Sequence, residues 1–250
     1  MSASCIAEVV ALLDEEVAHT IQASDPHGIF VALYRQMTLR VQQGIRDDLF
    51  DDGPRMDRFD TLFANRYFAA RATWRRSEAP TKSWRASFRG AQESGAIALQ
   101  HMLLGVNAHI NLDLPIAASA TVSAAELPDL QDDFERINDI IAELLDQAQD
   151  VLSQHSRGMR LIDLIGGRAD EWFGVFSIRK MRERAWEGAL ELSTSDTTQR
   201  RRQITLLDRQ VSFLGRTLLH PPRPVQTVID LIRAGESRDV AAVIDGINRL

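Results

Sequence analysis

Two side chains one helical turn apart raise the question of chemistry. His109 and Asp113 stand at i and i+4 in the stretch GVNAHINLDLP, Gly105 to Pro115. An α-helix advances 100° per residue, so the two lie within about 40° of each other and share a face. An imidazole and a carboxylate so placed can converge on a divalent cation. Without metal, Asp113 can orient His109 as a general base. They can also bond only each other and the backbone, and do no chemistry. Asn107 and Asn111 form a second i, i+4 pair on the opposite face, as positioning groups for a substrate or as clamps on adjacent helices. His101 lies about 80° round from His109.

The setting makes these residues conspicuous. From Ala96 to Val122 the only formal charge is Asp113. The segment therefore reads as a buried central helix, and each polar group buried without a partner would cost a few kcal/mol, about 1–3 by mutational measure. Pro115 lacks an N–H, so the Asn111 carbonyl loses its helical donor and the ring pushes that turn open.

Around this segment helical periodicity runs almost throughout, with no convincing two-residue alternation. Ile6, Val9, Val10, Leu13 and Val17 form one stripe. Phe30, Leu33, Tyr34, Met37 and Val41 form another, on a helix from about His27 to Asp48 that Asp25 caps and Pro26 opens. Phe59, Leu62, Phe63, Tyr67, Ala70 and Trp74 make a third. A long amphipathic helix carries Phe134 to Leu152, and further helices fit residues 159–165, 170–192, 199–219, 224–233 and 237–249. The expected fold is all-α: a single-domain multi-helix bundle of about nine or ten helices around the buried helix at about 96–122. Residues 1–195 are expected as the helical core, and 196–250 as a C-terminal extension that packs on it or mediates oligomerisation.

Composition narrows the function classes. The net charge of −6 disfavours nucleic acid, whose binding rests on many lysine and arginine contacts. Cys5 is the only cysteine, which excludes an intramolecular disulfide and a thiolate-rich metal site. No secretory signal and no membrane span is read, so a cytoplasmic location is expected. P-loop, GxGxxG and GxSxG motifs are absent.

Several stretches carry a resemblance. HMLLGVNAHINLDLPIAA resembles the signature of an uncharacterised bacterial family, domain of unknown function fifty-nine ninety-five. FVALYRQMT, FDTLFANRYFAA, the tryptophan of TKSWRASF, DDFERIN and RERAWEGA fit the same family in order, over roughly residues 25–192. Phe59 stands where leucine is more usual. The resemblance implies an all-helical fold and carries no activity with it. GVNAHINLD is also similar, over one short motif, to a helix of zinc-dependent phospholipase C and nuclease enzymes that gives two ligands to a multi-zinc site. That likeness implies a divalent, zinc-like cofactor with His109, Asp113, His101 and Asp60 as metal ligands, and His27 as a further candidate. Six histidines are too few for a three-zinc site with much to spare.

Other constellations have milder readings. DDLFD, Asp47 to Asp51, has the spacing of a terpene-cyclase magnesium motif, and NDIIAELLD, Asn138 to Asp146, loosely resembles the second one. Gly53-Pro54 follows at once, so a solvated helix end is the alternative. Asp60 is either a buried partner of the central histidines or a surface residue, and Arg66 could pair with a buried carboxylate or bind an anion. Trp74, Trp84, Trp172 and Trp186 read as packing.

These observations lead to an expected cytoplasmic enzyme with a buried pocket. His109, Asp113, Asn107 and Asn111 are its catalytic candidates, and its substrate or ligand is a small molecule. Metal-dependent hydrolysis of a phosphoester or lipid-like substrate is the most concrete form. The alternatives are a non-catalytic helical binding or assembly protein, a homo-oligomer in one version, and a metal-free or magnesium-dependent cyclase or isomerase acting on an apolar small molecule.

Overall fold

The computed structural model describes residues 2–156 and 177–250. Helices account for most of it. α1 spans Ile6–Ala23, α2 Gly28–Arg46, α3 Gly53–Arg75, α4 Lys82–Gly90, α5 Ala98–Ala108 and α6 Leu114–Thr121. A π-helical turn, His109–Asp113, joins α5 to α6. A 3-10 turn, Leu127–Leu130, leads into α7, Gln131–His155. After the undescribed segment come α8 Ile178–Thr194, α9 Thr197–Leu219, α10 Arg223–Ala234 and α11 Val240–Asn248. Among the described residues no strand forms, only an isolated bridge between Ser156 and Glu236. No described helix is long and apolar enough to cross a membrane. The expected helix at 159–165, the start of that at 170–192 and Trp172 lie outside the described residues.

Most apolar stripes face inward as their spacing requires. Ile6, Val9, Leu13 and Val17 are buried on α1, and Phe59, Phe63, Tyr67 and Ala70 on α3. Leu62 departs from the expected stripe and is exposed. On α2 the expected face is only half of what is covered. Gly28, Ile29, Val31 and Ala32 are buried too, because α1 and α11 pack on one side of α2 while α5, α7 and α3 take the other. The centre of the fold is thus shared between α2 and the α5–α6 rod. Asp25 does not act as a regular N-cap. It accepts from the His27 backbone N–H two residues on, and a turn at Pro26 and His27 precedes the helix proper. The C-terminal helices belong to the same core: Val243, Ile244 and Ile247 of α11 are buried in the cluster that holds Leu13 and Phe30.

The α5–α6 rod is broken where Pro115 predicts it. Without a proline N–H the regular ladder cannot continue past Asn111, and the Leu114 N–H reaches back five residues to the His109 carbonyl instead. Five residues therefore form one wide turn, and both His109 and Asp113 belong to it. One turn earlier, α2 crosses α5 closely. A Cβ on Gly105 would lie 2.2 Å from Cγ of the Phe30 ring. Gly105→Ala is expected to cost about 1–3 kcal/mol through forced displacement of that buried ring, read as a lower urea midpoint with unchanged slope.

The acidic run at Asp47–Asp51 is a helix end. Asp47 caps α2, Asp48 adopts a left-handed backbone at φ 53°, and Asp47, Asp48 and Asp51 are all exposed. Asp51 pairs with Arg136, and the Asp51 and Asp52 N–H groups donate to the buried Asp133 carboxylate. Asp146 of the second acidic motif is exposed on α7, while Asn138 accepts from Arg182. Among the described residues, none of these carboxylates lines a cavity.

Candidate functional site

The π turn places His109 inside a cage of aromatic rings. Phe63 of α3 stacks on the imidazole, with centroids 3.6 Å apart and planes 10° off parallel. Tyr34 of α2 meets it edge-on at 4.4 Å, and Phe30, Trp84 and Tyr67 close the remaining sides at 5.8, 5.9 and 6.3 Å. His109 and Asp113 are both buried, 2% and 1% exposed.

Asp113 has its oxygens engaged from three elements. Oδ1 accepts from Arg66 Nε of α3 at 2.9 Å, and Oδ2 accepts from the Trp84 indole N–H of α4 at 2.8 Å. Oδ2 also meets His109 Nδ1 at 3.2 Å. A carboxylate flanked by an arginine and two N–H groups is an acceptor, so it fixes His109 as the tautomer that carries its proton on Nδ1. Burial pushes the imidazole below its ordinary pKa, against the opposing pull of Asp113. At neutral pH His109 is therefore uncharged, with a bare lone pair on Nε2. That atom has no hydrogen-bond partner among the described residues.

Nε2 belongs to a residue lining a cavity. The space, about 80 Å³, is walled by apolar side chains of α2, α3, α5 and α7, among them Leu33, Met37, Phe59, Ile141 and Leu144. Asp60, Tyr34 and Arg182 line it as well. Asp60 Oδ2 and the Tyr34 hydroxyl likewise lack partners among the described residues. Thr38, one turn beyond Tyr34, gives its proton to the Tyr34 carbonyl. Burial, and to a lesser degree the Asp57 charge, raise Asp60 to about 7. Burial first and the Asp60 charge second hold the Tyr34 phenol well above its usual value. The residues that carry a proton acceptor and two groups able to present protons thus line one largely apolar cavity.

The sequence candidates separate into three groups. His109, Asp113 and Asp60 come to this site. Asn107 and Asn111 face away from it: Asn107 Nδ2 donates to the Val211 carbonyl of α9, and Asn111 Nδ2 donates to Asn107 Oδ1 and meets Met181 Sδ of α8. His101 lines a different, more polar cavity of about 470 Å³ with Glu236 and Arg233, and burial lowers it to about 4. His27 meets the Tyr67 hydroxyl at 3.2 Å, and burial first and the Arg71 charge second bring it down to about 3. The expected metal set His109, Asp113, His101 and Asp60 is therefore not gathered in one place. Among the described residues no three His, Cys, Asp or Glu side chains converge as a metal site.

A model described as a family of unknown function, DUF5995, matches residues 6–221. The chain belongs to this family. No curated protein and no solved structure matches it. The DUF5995 match runs from the first residue of α1 past the end of α9, wider than the stretch over which the motifs resemble the family. Every residue named above as lining the cavity beside His109 falls within it. Residues beyond the DUF5995 match form α10 and α11, which complete the same core.

Four contributors to the site were not singled out in the sequence. Phe63 and Tyr34 read as stripe residues, Trp84 as packing, and Arg182 went unremarked. Only Arg182 had a usable signal. With Ala185, Ala189 and Leu192 it forms an i, i+3, i+7, i+10 series whose other members are buried, so an arginine occupies a core position.

Proposed function

We propose that this protein binds a slender, largely apolar small molecule in the cavity beside His109 and transfers protons at its polar group without a metal. The observation that carries the reading is that three polar atoms without a hydrogen-bond partner among the described residues, His109 Nε2, Asp60 Oδ2 and the Tyr34 hydroxyl, belong to residues lining one apolar cavity. Leaving such groups unpaired costs folding free energy, and a ligand's polar group would satisfy them. His109 Nε2 takes the proton. Asp60, poised near neutrality, returns one, and the Tyr34 phenol steadies the charge that develops. Burial shifts the two titrating groups in opposite directions, the imidazole down and the carboxyl up, the pattern that assigns base and acid. Asp113, held by Arg66 and Trp84, is a positioning residue. Isomerisation and hydrolysis of a lipid-like molecule are the reaction classes this arrangement serves.

The donor set does not fit a zinc-like ion. Both Asp113 oxygens already accept from N–H donors, the Arg66 cation lies against one of them, and His101 lies in another cavity. A second reading, assembly through the C-terminal helices, has one observation behind it. Leu206 and Phe213, two turns apart on α9, are strongly exposed. Chain mass in solution measures it.

Titration of the protein with octanol, followed by tryptophan fluorescence, tests the leading reading. Saturable binding is expected, with its loss in Leu144→Trp, which fills the cavity. Nitrogen NMR at pH 7 is expected to find His109 neutral with its proton on Nδ1. Absence of saturable binding, or an imidazole that titrates like a free one, would overturn it.

A further inference from the structure

Arg182 is the most buried arginine of the described chain, 3% exposed, and it is out of pattern. Half-buried Arg200 donates to the Leu192 carbonyl and to Ser119 Oγ, and three other arginines that turn inward each meet a carboxylate. Arg71 pairs with Glu16 and Asp25, Arg55 with Asp133, and Arg66 with Asp113. Arg182 meets none among the described residues. Its Nε donates to Asn138 Oδ1 at 2.7 Å, its Nη2 donates to the Phe134 carbonyl, and its guanidinium lies 4.1 Å over the Phe134 ring. Two of five N–H groups are so accounted for. Burial alone pushes the guanidinium down to about 9, which leaves it charged at neutral pH. A buried cation without a counter-ion is strongly unfavourable, and one that lines a cavity can be relieved by an anion entering it.

The place of that cation along the cavity matters. From Arg182 a row of three rings leads to His109: Phe134 beneath the guanidinium, Phe59 at 6.1 Å from Phe134, and Phe63 at 6.3 Å from Phe59, stacked on the imidazole. Phe59 and Phe63 line the cavity with Arg182 and His109, while Phe134 is not part of its lining, so the charged group and the proton-transfer group stand apart on that lining. We propose that the occupant is a single-chain carboxylate, its head on the Arg182 guanidinium, its chain lying between α2 and α7, and a second, neutral polar group farther along that chain at His109, where the protons move. This rests on the cavity being a ligand site, as argued above, and names the substrate class for it. The guanidinium fork matches the two oxygens of a carboxylate. A free space of about 80 Å³, smaller than the ~150 Å³ that takes up benzene, has no room for a bulky headgroup and encloses only a short part of a chain, the rest lying against the half-buried Met37, Ile141 and Leu145 of its lining.

The test uses the full chain and three probes with one tail and different heads: octanoate, octanol and octyltrimethylammonium, titrated by calorimetry at pH 7.5. Octanoate is expected to bind at least tenfold more tightly than octanol, as a charge-assisted hydrogen bond to a buried arginine warrants, and the cation not at all. In Arg182→Met the octanoate and octanol affinities are expected to converge. Equal binding of octanoate and octanol by the wild-type protein overturns the carboxylate assignment and leaves the cavity standing as an apolar site. Binding of neither overturns both. Preference for octanoate that survives in Arg182→Met also overturns the role of Arg182. The wild-type series decides the head-group question without any variant.

Discussion

Replacement of Asp113 by alanine is expected to lower stability by about 3–5 kcal/mol, the range for removal of one member of a buried, hydrogen-bonded charge pair. Three donors lose their acceptor at once: Arg66 Nε, the Trp84 indole and His109 Nδ1. Arg66 is about a third exposed and regains water, so the loss falls mainly on the two buried rings. Asp113→Asn keeps the volume and one acceptor oxygen but turns an NH₂ toward donors, and is expected to recover only part. Urea unfolding at pH 7 gives the stability. Nitrogen NMR gives the second readout, since His109 without its carboxylate no longer has a fixed tautomer. A loss below about 1 kcal/mol would mean that the three contacts do not hold the turn together.

The second large effect is a slope with pH that Asp60 imposes. Its folded pKa is about 7 against an ordinary value of 3.8. Between those values the folded protein holds a proton that the unfolded chain has released. The Asp60 contribution to stability therefore falls as pH rises through this window and levels off above about 7, the reverse of the salt-bridged carboxylates and of the buried His27 and His101, whose lowered pKa values add stability as pH rises toward 6.5. A difference of roughly three pKa values corresponds to about 4 kcal/mol between pH 4 and pH 8, at 1.36 kcal/mol each. Asp60→Asn is expected to abolish this slope and to be the more stable protein at pH 8. Unfolding midpoints of both proteins across pH 4–8 check it. Parallel curves would place the Asp60 carboxylate in contact with solvent. The same variant is expected to lose proton transfer, since an amide cannot return the proton.

The all-helical architecture was legible because its cause is local. Stripes such as Ile6, Val9, Leu13 and Val17 recur at helical spacing, and Asp52 before Gly53-Pro54 caps α3 as its residue type suggests. The i, i+4 meeting of His109 and Asp113 was legible for the same reason. Pairings between helices were not. Nothing in TKSWRASF tells which acceptor the Trp84 indole will find, and nothing in FANRYF tells that Arg66 meets Asp113 rather than a ligand. His101 shares a helix with His109, yet it serves another cavity because different helices cover its side of the rod. Angle along one helix constrains which face a residue takes, and only the neighbours decide what lies against that face.

The wide turn at His109–Asp113 has a further consequence for how this rod tolerates change. A π turn holds one residue more than the α-helical turn it replaces. Excision of a single residue there, Ile110 for instance, would let α5 and α6 fuse into one regular helix. Because the extra residue is taken up within one turn, the shortened rod would keep Leu112, Ile116 and Ser119 facing α8 and α9. Straightening the turn with all its residues kept would instead rotate everything downstream by roughly 100°. The enlarged turn is thus the slack that keeps the two halves of the rod in phase.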